Sequence, residues 1–211
     1  MSPAPPDAPK QSLAEVLPQI QTGDILVFHC DALESRAIDA ITDSWFSHAA
    51  MAVVHPGTGQ RLIWQTDPGA IVEDPHTHSS HSGAQLGDLD AAVEETAKTW
   101  GDQPYWRALH WDRPSDFDTV VAAAIDALEQ TPYPSDLGMV IDYLLGREDV
   151  ASSDGQMFCS QLIAATYQRI GLLDDEHPSD HYRPKDFSSE SGAQLSLQAG
   201  AVLAAEVEVM L

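Results

Sequence analysis

Apolar runs in the first third of the chain predict β-strands. Three runs rich in strand-forming residues occur at 24–28 (DILVF), 48–55 (HAAMAVVH) and 61–66 (RLIWQT). Residues 56–59 (PGTG) separate the last two runs and favour a tight turn, so we expect these two strands to form an antiparallel hairpin. Because the 48–55 run is apolar at nearly every position, its strand is expected in the middle of a sheet with both faces covered.

In the second half of the chain, the spacing of apolar residues changes to a helical period. The strongest pattern predicts a helix that begins near 115–116, with acidic residues in its first turn, and ends at 131–134 (TPYP). A second predicted helix runs from about Cys159 to Ile170 and ends at Gly171. Weaker patterns predict helices at 12–20 and 91–99, strands at 70–73, 105–111 and 201–210, and an exposed loop at 74–87.

The order of these elements indicates the fold class. Closely spaced strands flanked by two good helices favour an α+β fold over a doubly wound parallel sheet. The length of 211 residues is within the range of one domain. Four prolines among the first ten residues predict a flexible N-terminal tail over 1–12, so we expect a single domain over 13–211.

The charge balance limits the partners of the protein. There are 33 acidic and 10 basic residues, which give a formal net charge of −23. Such a surface repels phosphate backbones over about 8–10 Å at physiological salt, so we expect no nucleic-acid partner. No apolar run approaches the ~20 residues that span a bilayer, so no transmembrane segment is predicted. The first residues (MSPAPPD) lack the basic and apolar regions of a signal peptide, which predicts a cytoplasmic location.

A cysteine at a predicted helix N-terminus is the first candidate for chemistry. Cys159 lies in the segment FCSQL, where a polar turn leads into the helix. Free backbone N–H groups and the positive end of the helix dipole stabilise a thiolate, and so lower a thiol pKa below its usual value of about 8.5. The alternative is a structural cysteine, because Cys159 lies on the same apolar stripe as Leu162 and Ile163.

A histidine at the start of the predicted central strand is the second candidate. A thiol nucleophile needs a base, and the base needs a third group that fixes its tautomer. His48 is suited to act as the base. The predicted hairpin brings Gln65 beside the histidine strand, which makes Gln65 our candidate for the third group, with Asp67 and Glu73 as alternatives.

Two other groups of polar residues are interpreted structurally. His76, His78 and His81 are metal-ligand residue types, but a single polar loop lacks the rigid support of a metal site, so we interpret this segment as solvated. Cys30 follows the first strand directly and is interpreted as the end of that strand. The alternatives are a neighbour of the candidate site and a redox or disulfide partner of Cys159.

Three motifs of this chain occur together in a known family. The segments 23–28 (GDILVF), 47–53 (SHAAMAV) and 158–163 (FCSQLI) resemble the opening strand, histidine strand and cysteine helix of the permuted papain-like group within the NlpC/P60 superfamily, in particular its YiiX/YebB-like branch. The segments 131–135 (TPYPS) and 182–187 (YRPKDF) are also similar. The histidine precedes the cysteine by 111 positions, which is the order that circular permutation of a papain-like fold requires.

This resemblance implies a fold and an activity. The fold is a circularly permuted α+β papain-like fold, with an antiparallel sheet packed against the cysteine helix. The activity is that of a cysteine hydrolase that cleaves an amide, isopeptide or ester bond through a thioester, with Cys159 as nucleophile and His48 as base. Gln65 stands where the family often has an acid, and it orients an imidazole without stabilising its positive charge.

Two further functions are compatible with the same motifs. A thiol acyltransferase would pass the acyl group from the cysteine to a lipid or amine acceptor, and a non-catalytic binding module would keep the fold without the reaction. The expected substrates are peptides, amides or acyl lipids. Neither a metal nor an organic cofactor is implied.

Overall fold

A β-sheet is the framework that carries the candidate site. A computed structural model describes residues 8–30, 44–67, 72–75, 77–129, 131–133, 156–190, 193 and 195–211. The strands are β1 (Lys10–Ser12), β2 (Ile25–Cys30), β3 (His48–Val54), β4 (Arg61–Asp67), β5 (Gly83–Asp88), β6 (Asp102–Arg107), β7 (Leu109–His110), β8 (Val202–Leu203) and β9 (Val207–Met210). The helices are α1 (Leu13–Val16), α2 (Leu89–Trp100), α3 (Phe117–Leu128) and α4 (Cys159–Arg169), with short 3₁₀ turns at Leu17–Gln19, Ser179–His181 and Pro184–Phe187.

The sheet is mixed but mainly antiparallel. Its seven described strands lie in the order β1-β9-β6-β2-β3-β4-β5, and β7 pairs with β8 separately. Strand β1 runs parallel to β9, whereas every other neighbouring pair is antiparallel. Strands β3 and β4 form the expected hairpin, with Met51 opposite Trp64. The α+β class is therefore confirmed.

Helices cover both faces of the sheet. On one face, buried residues such as Val27 and Met51 pack with α3 and α4. On the other face, residues such as Leu26 and Ala50 pack with α1 and α2. This two-sided burial explains why β3 has no polar face in its sequence, as predicted for a strand inside the sheet.

Some elements differ from the sequence prediction. Residues 83–87 of the predicted exposed loop 74–87 belong to β5, which pairs with β4. Ala84 and Leu86 are buried in the core, while the neighbouring Gly and Gln residues give the segment the composition of a loop. Residues 10–12 are the strand β1 rather than part of a flexible tail, since they pair with the distant β9; residues 1–7 lie outside the described part. In the predicted strand 70–73, residues 70–71 are outside the described part, and 72–73 are not in a strand.

Two later strands are each divided. The predicted strand 105–111 begins earlier, at Asp102, and is interrupted before β7. The predicted strand 201–210 consists of β8, which pairs with β7, and β9, which pairs with β1 and β6. In both cases the chain changes its pairing partner, which a local pattern of apolar residues does not reveal.

Gly83 is a position where a side chain should not be tolerated. Its φ is +126°, and a Cβ atom added there would lie 2.4 Å from the carbonyl oxygen of Thr131. That oxygen also accepts the N–H of Ala84 at 2.8 Å, so the two backbone segments are held together. We expect Gly83→Ala to lower the free energy of unfolding by about 2–4 kcal/mol, measured by urea denaturation.

Gly101 provides the matched control for this substitution. It ends α2 with φ +74°, and an added Cβ would meet no atom within 4 Å. Gly101→Ala therefore suffers backbone strain without a clash, and we expect a loss of about 1 kcal/mol. Equal losses in the two variants would contradict a close backbone approach at Gly83.

Candidate active site

Cys159 is the first residue of α4 and is nearly buried. Phe158 before it has extended backbone angles, and the Gln161 side chain accepts the Phe158 N–H at 3.3 Å, which marks the start of the helix. The backbone N–H groups of Ala49 and Ser160 lie within hydrogen-bonding reach of the Cys159 sulfur and lower the pKa of its thiol. A sulfur surrounded by N–H donors at a helix N-terminus is in an environment that favours the thiolate.

Buried polar contacts hold α4 against the sheet. The indole N–H of Trp64 on β4 donates to Thr166 Oγ1 at 3.0 Å, and the Tyr167 hydroxyl donates to the carbonyl oxygen of Gly23 at 2.6 Å. Trp64 and Tyr167 are both completely buried. These contacts limit how far the helix can rotate or slide, so the position of Cys159 relative to β3 and β4 is set by the core.

His48 and Gln65 meet beside this sulfur. His48 begins β3, Gln65 lies on β4, and His48 Nε2 is 2.9 Å from Gln65 Oε1. Because an amide oxygen only accepts hydrogen bonds, His48 Nε2 carries a proton and donates it. The side chains of His48 and Cys159 lie within hydrogen-bonding reach of one another, and each shifts the pKa of the other. Because Nε2 is hydrogen-bonded to Gln65, Nδ1 is the ring nitrogen that is available to interact with the sulfur.

The three side chains favour a charge-separated pair. Burial of the imidazole lowers the pKa of His48, but the negative charge of Cys159, its hydrogen bond and that of Gln65 outweigh burial and raise this pKa to about 9. Burial raises the pKa of the Cys159 thiol, but the positive charge of His48 and the hydrogen bonds to the sulfur outweigh it, so this pKa is below its ordinary value. Thiolate and imidazolium stabilise one another.

Of the three side chains considered as the group that orients His48, only Gln65 is seen to contact the imidazole in the described part. Glu73 is exposed, and its carboxylate lies 3.6 Å from His78 Nδ1. The Asp67 side chain lies outside the described part. Gln65 is 4% exposed, and its side chain is the one bonded to the imidazole.

The second cysteine has a separate environment. Both cysteines of the chain lie in the described part, and both are free thiols, so they do not form the disulfide considered above. Cys30 is the last residue of β2, and its thiol donates to the Trp100 carbonyl oxygen at 3.2 Å. On the same strand, the His29 ring is stacked on that of Trp45, with centroids 3.6 Å apart.

Two residues near the site were not identified from the sequence. Asp102 on β6 is close enough to His48 for its charge to raise the pKa of the imidazole. The Tyr133 ring contacts the ring of Phe158, and burial together with the Cys159 charge raises the pKa of the phenol, which therefore remains an O–H group. The predicted strand began at Tyr105, so Asp102 had no expected place in the sheet, and no local pattern indicated its neighbours.

The histidine-rich loop shows no metal centre in its described part. His81 Nε2 donates to the Ala84 carbonyl oxygen at 3.2 Å, and His78 is exposed beside Glu73, whereas His76 lies outside the described residues. Among the described residues, no three of His, Cys, Asp or Glu are close enough together to hold a metal ion.

Comparisons with known proteins support the fold. No protein-family model and no curated protein matches the chain. Among solved structures, the chain is similar to the metalloprotein yiiX from Escherichia coli O157:H7, DUF1105, with a TM-score of 0.50 and 18% sequence identity, over 72% of this chain and 67% of that chain. At this identity the likeness concerns the fold alone. Because no three metal-ligating side chains come together among the described residues, we derive no metal chemistry from the neighbour's name.

None of the helices in the described part of the chain is both long and apolar enough to cross a membrane.

Proposed function

We propose that this protein is a cysteine hydrolase that cleaves an amide, isopeptide or ester bond. The observation that carries the proposal is the contact between Cys159, His48 and Gln65. A nucleophile hydrogen-bonded to a base, with the base held by a third side chain, is the arrangement that activates a thiol. The substrates that fit are peptides, other amides or acyl lipids, because each presents a carbonyl carbon to a thiolate.

We also propose that the fold is a circularly permuted papain-like fold. In this chain β2, β3 and β4 precede the cysteine helix, and α4 packs against β3 and β4. The likeness to yiiX supports this proposal, since the motif resemblance points to the branch that bears the same name. Permutation changes the order of elements along the chain while keeping the helix and the histidine strand together.

The reaction would proceed through a thioester. The Cys159 thiolate attacks the carbonyl carbon, and the carbonyl oxygen becomes an oxyanion. The Cys159 backbone N–H has no partner within its own helix because it is in the first turn, so it is available to stabilise that oxyanion. The His48 imidazolium then protonates the leaving amine or alcohol. In the second half, neutral His48 takes a proton from water as the water oxygen attacks the thioester carbonyl carbon. Collapse of this second oxyanion breaks the C–S bond, releases the carboxylic acid and restores the thiolate–imidazolium pair.

The thiolate–imidazolium pair predicts how alkylation of Cys159 depends on pH. We expect the rate with iodoacetamide to rise in two steps, because the thiolate forms at a pH below the ordinary thiol value and becomes more reactive when His48 loses its proton near pH 9. The rate is measured by mass spectrometry of the peptides that contain each cysteine.

The same experiment separates the enzyme from a non-catalytic module. Hydrolysis requires a thiolate near neutral pH, so a single step with a midpoint near ~8.5, as in an unperturbed thiol, would contradict the proposal.

A further inference from the structure

The candidate site lacks an obvious negative charge for the second half of the reaction. During attack, the thiolate itself compensates the positive imidazolium. Once the thioester has formed, the sulfur is neutral, and His48 becomes positive again when it takes a proton from water. Gln65 is neutral and does not compensate that charge. Deacylation is therefore the step at which another carboxylate near His48 would act.

The register of the sheet brings one carboxylate to the same face as His48. Strand β2 lies between β3 and β6, and Phe28 on β2 is opposite both His48 and Pro104. Two residues further along, Cys30 is opposite Asp102. Because side chains alternate along a strand and opposite residues point to the same face, all five share one face of the sheet. The Phe28 and His48 rings confirm this, with centroids 5.3 Å apart.

Asp102 is held in place by its neighbour on β2. The Cys30 thiol lies within hydrogen-bonding reach of both the Asp102 carboxylate and the Trp100 carbonyl oxygen, which is 3.2 Å from the sulfur. Burial raises the pKa of Asp102, while the positive charge of His48, the Cys30 hydrogen bond and His29 lower it. The carboxylate acts on the histidine in turn, since Asp102 is among the groups that raise the pKa of His48.

We propose that Asp102 is a positioning residue that supplies the negative charge beside the His48 imidazolium, so that Gln65 orients the ring and Asp102 stabilises its charge. This proposal rests on the proposed hydrolase function. It explains why a neutral glutamine suffices as the third group, because orientation and charge compensation come from two strands on opposite sides of β3.

The groups that act on His48 come from three elements. Cys159 faces it from α4, Gln65 from β4 and Asp102 from β6, while His29 and Cys30 on β2 act on Asp102. Of these, only Cys159 and Asp102 bring a negative charge to the ring. A change at Asp102 should therefore be seen in the titration of His48 with little change in that of the thiol.

The test is Asp102→Asn, which keeps the shape of the side chain and removes its charge. Without the carboxylate the imidazolium loses its proton more easily, so the second step of the alkylation profile should move from near pH 9 to a pH lower by about half to one unit, with the first step unchanged. With p-nitrophenyl acetate, we expect deacylation to slow by about threefold to tenfold, the equivalent of that shift, while the initial burst of p-nitrophenolate is retained.

Two further variants distinguish charge from structure. Asp102→Glu restores a carboxylate and should return the second step toward the wild-type pH. Asp126→Asn removes one negative charge from an exposed position on α3, and should leave both steps where they are. A second step unchanged in folded Asp102→Asn, or equally shifted in Asp126→Asn, would overturn the role of Asp102.

The two proposals fail in different ways. The alkylation profile needs no substrate, so it tests Asp102 even if p-nitrophenyl acetate is not turned over. A wild-type profile with two steps but no effect of Asp102→Asn overturns only this inference. A wild-type profile with one ordinary thiol step overturns the hydrolase proposal and this inference together.

Discussion

Replacing Cys159 with serine should abolish hydrolysis of an acyl ester while the protein stays folded. A hydroxyl is far less acidic than a thiol, and neither the helix N-terminus nor His48 ionises it near neutral pH. The hydroxyl fills nearly the same space, so the free energy of unfolding should change by no more than about 1–2 kcal/mol. The measurements are p-nitrophenolate release, thioester formation by intact mass, and urea denaturation.

His48→Ala tests whether the pair acts as a unit. We expect it to lose activity as well, and the double variant Cys159→Ser, His48→Ala to be little worse than either single variant, since each removes the same step. Full activity in Cys159→Ser, or losses that multiply in the double variant, would show that the two residues do not share a catalytic role.

Asp24→Ala should destabilise the fold strongly although Asp24 is remote from the sulfur in sequence and makes no contact with it. Its buried carboxylate accepts the N–H of Leu109 and the indole N–H of Trp106, both at 2.9 Å, and lies 3.5 Å from Arg113. Alanine would leave the buried N–H groups of Leu109 and Trp106 without this acceptor, whereas Arg113 keeps the carbonyl oxygens of Thr22 and Leu109. We expect a loss of about 3–5 kcal/mol in the free energy of unfolding, measured by urea denaturation.

Asp24→Asn is the matched control. Burial raises the pKa of the Asp24 carboxyl more than its hydrogen-bond donors and Arg113 lower it. The stabilisation that the charged carboxylate provides is therefore partly offset by the cost of removing it from water. An amide keeps one acceptor oxygen, and we expect a loss smaller than that of the alanine variant. A loss below about 1 kcal/mol for Asp24→Ala would show that these donors find other acceptors.

These contacts also give a physical meaning to the GDI motif at 23–25. Gly23 has φ +89°, and its carbonyl oxygen accepts the Tyr167 hydroxyl from α4. Asp24 connects the start of β2 to β6 and β7. The motif therefore connects the cysteine helix and the central strands to one another, although neither Gly23 nor Asp24 is one of the candidate site residues.

Local patterns were sufficient for most elements of the fold. The hairpin of β3 and β4, the helices α3 and α4, and the interior position of β3 follow from the period and length of apolar runs. Burial of one or both faces of an element produces a regular pattern of apolar residues in the sequence. Strand β5 has no such pattern in its sequence, since its Gly and Gln residues give it the composition of a loop and its burial depends on pairing with β4.

Cys159, His48 and Gln65 could be selected from the sequence for different reasons. Cys159 and His48 open regular elements, so their local positions and the order of the motifs were informative. Gln65 followed from the expected hairpin, whose tight turn limits the register of its strands. Their mutual contact still depends on how α4 packs, which Trp64 and Thr166 decide across 102 positions of sequence.

The place of Asp102 was decided by tertiary structure alone. Nothing near it in the chain indicates that β6 lies beside β2, or that Cys30 is opposite Asp102. Strand order and register between distant segments arise from the packing of the whole core, and a shift of one residue would turn Asp102 to the other face. The proposed nucleophile and base can thus be selected from local sequence, whereas the charges that act on them depend on which strands become neighbours.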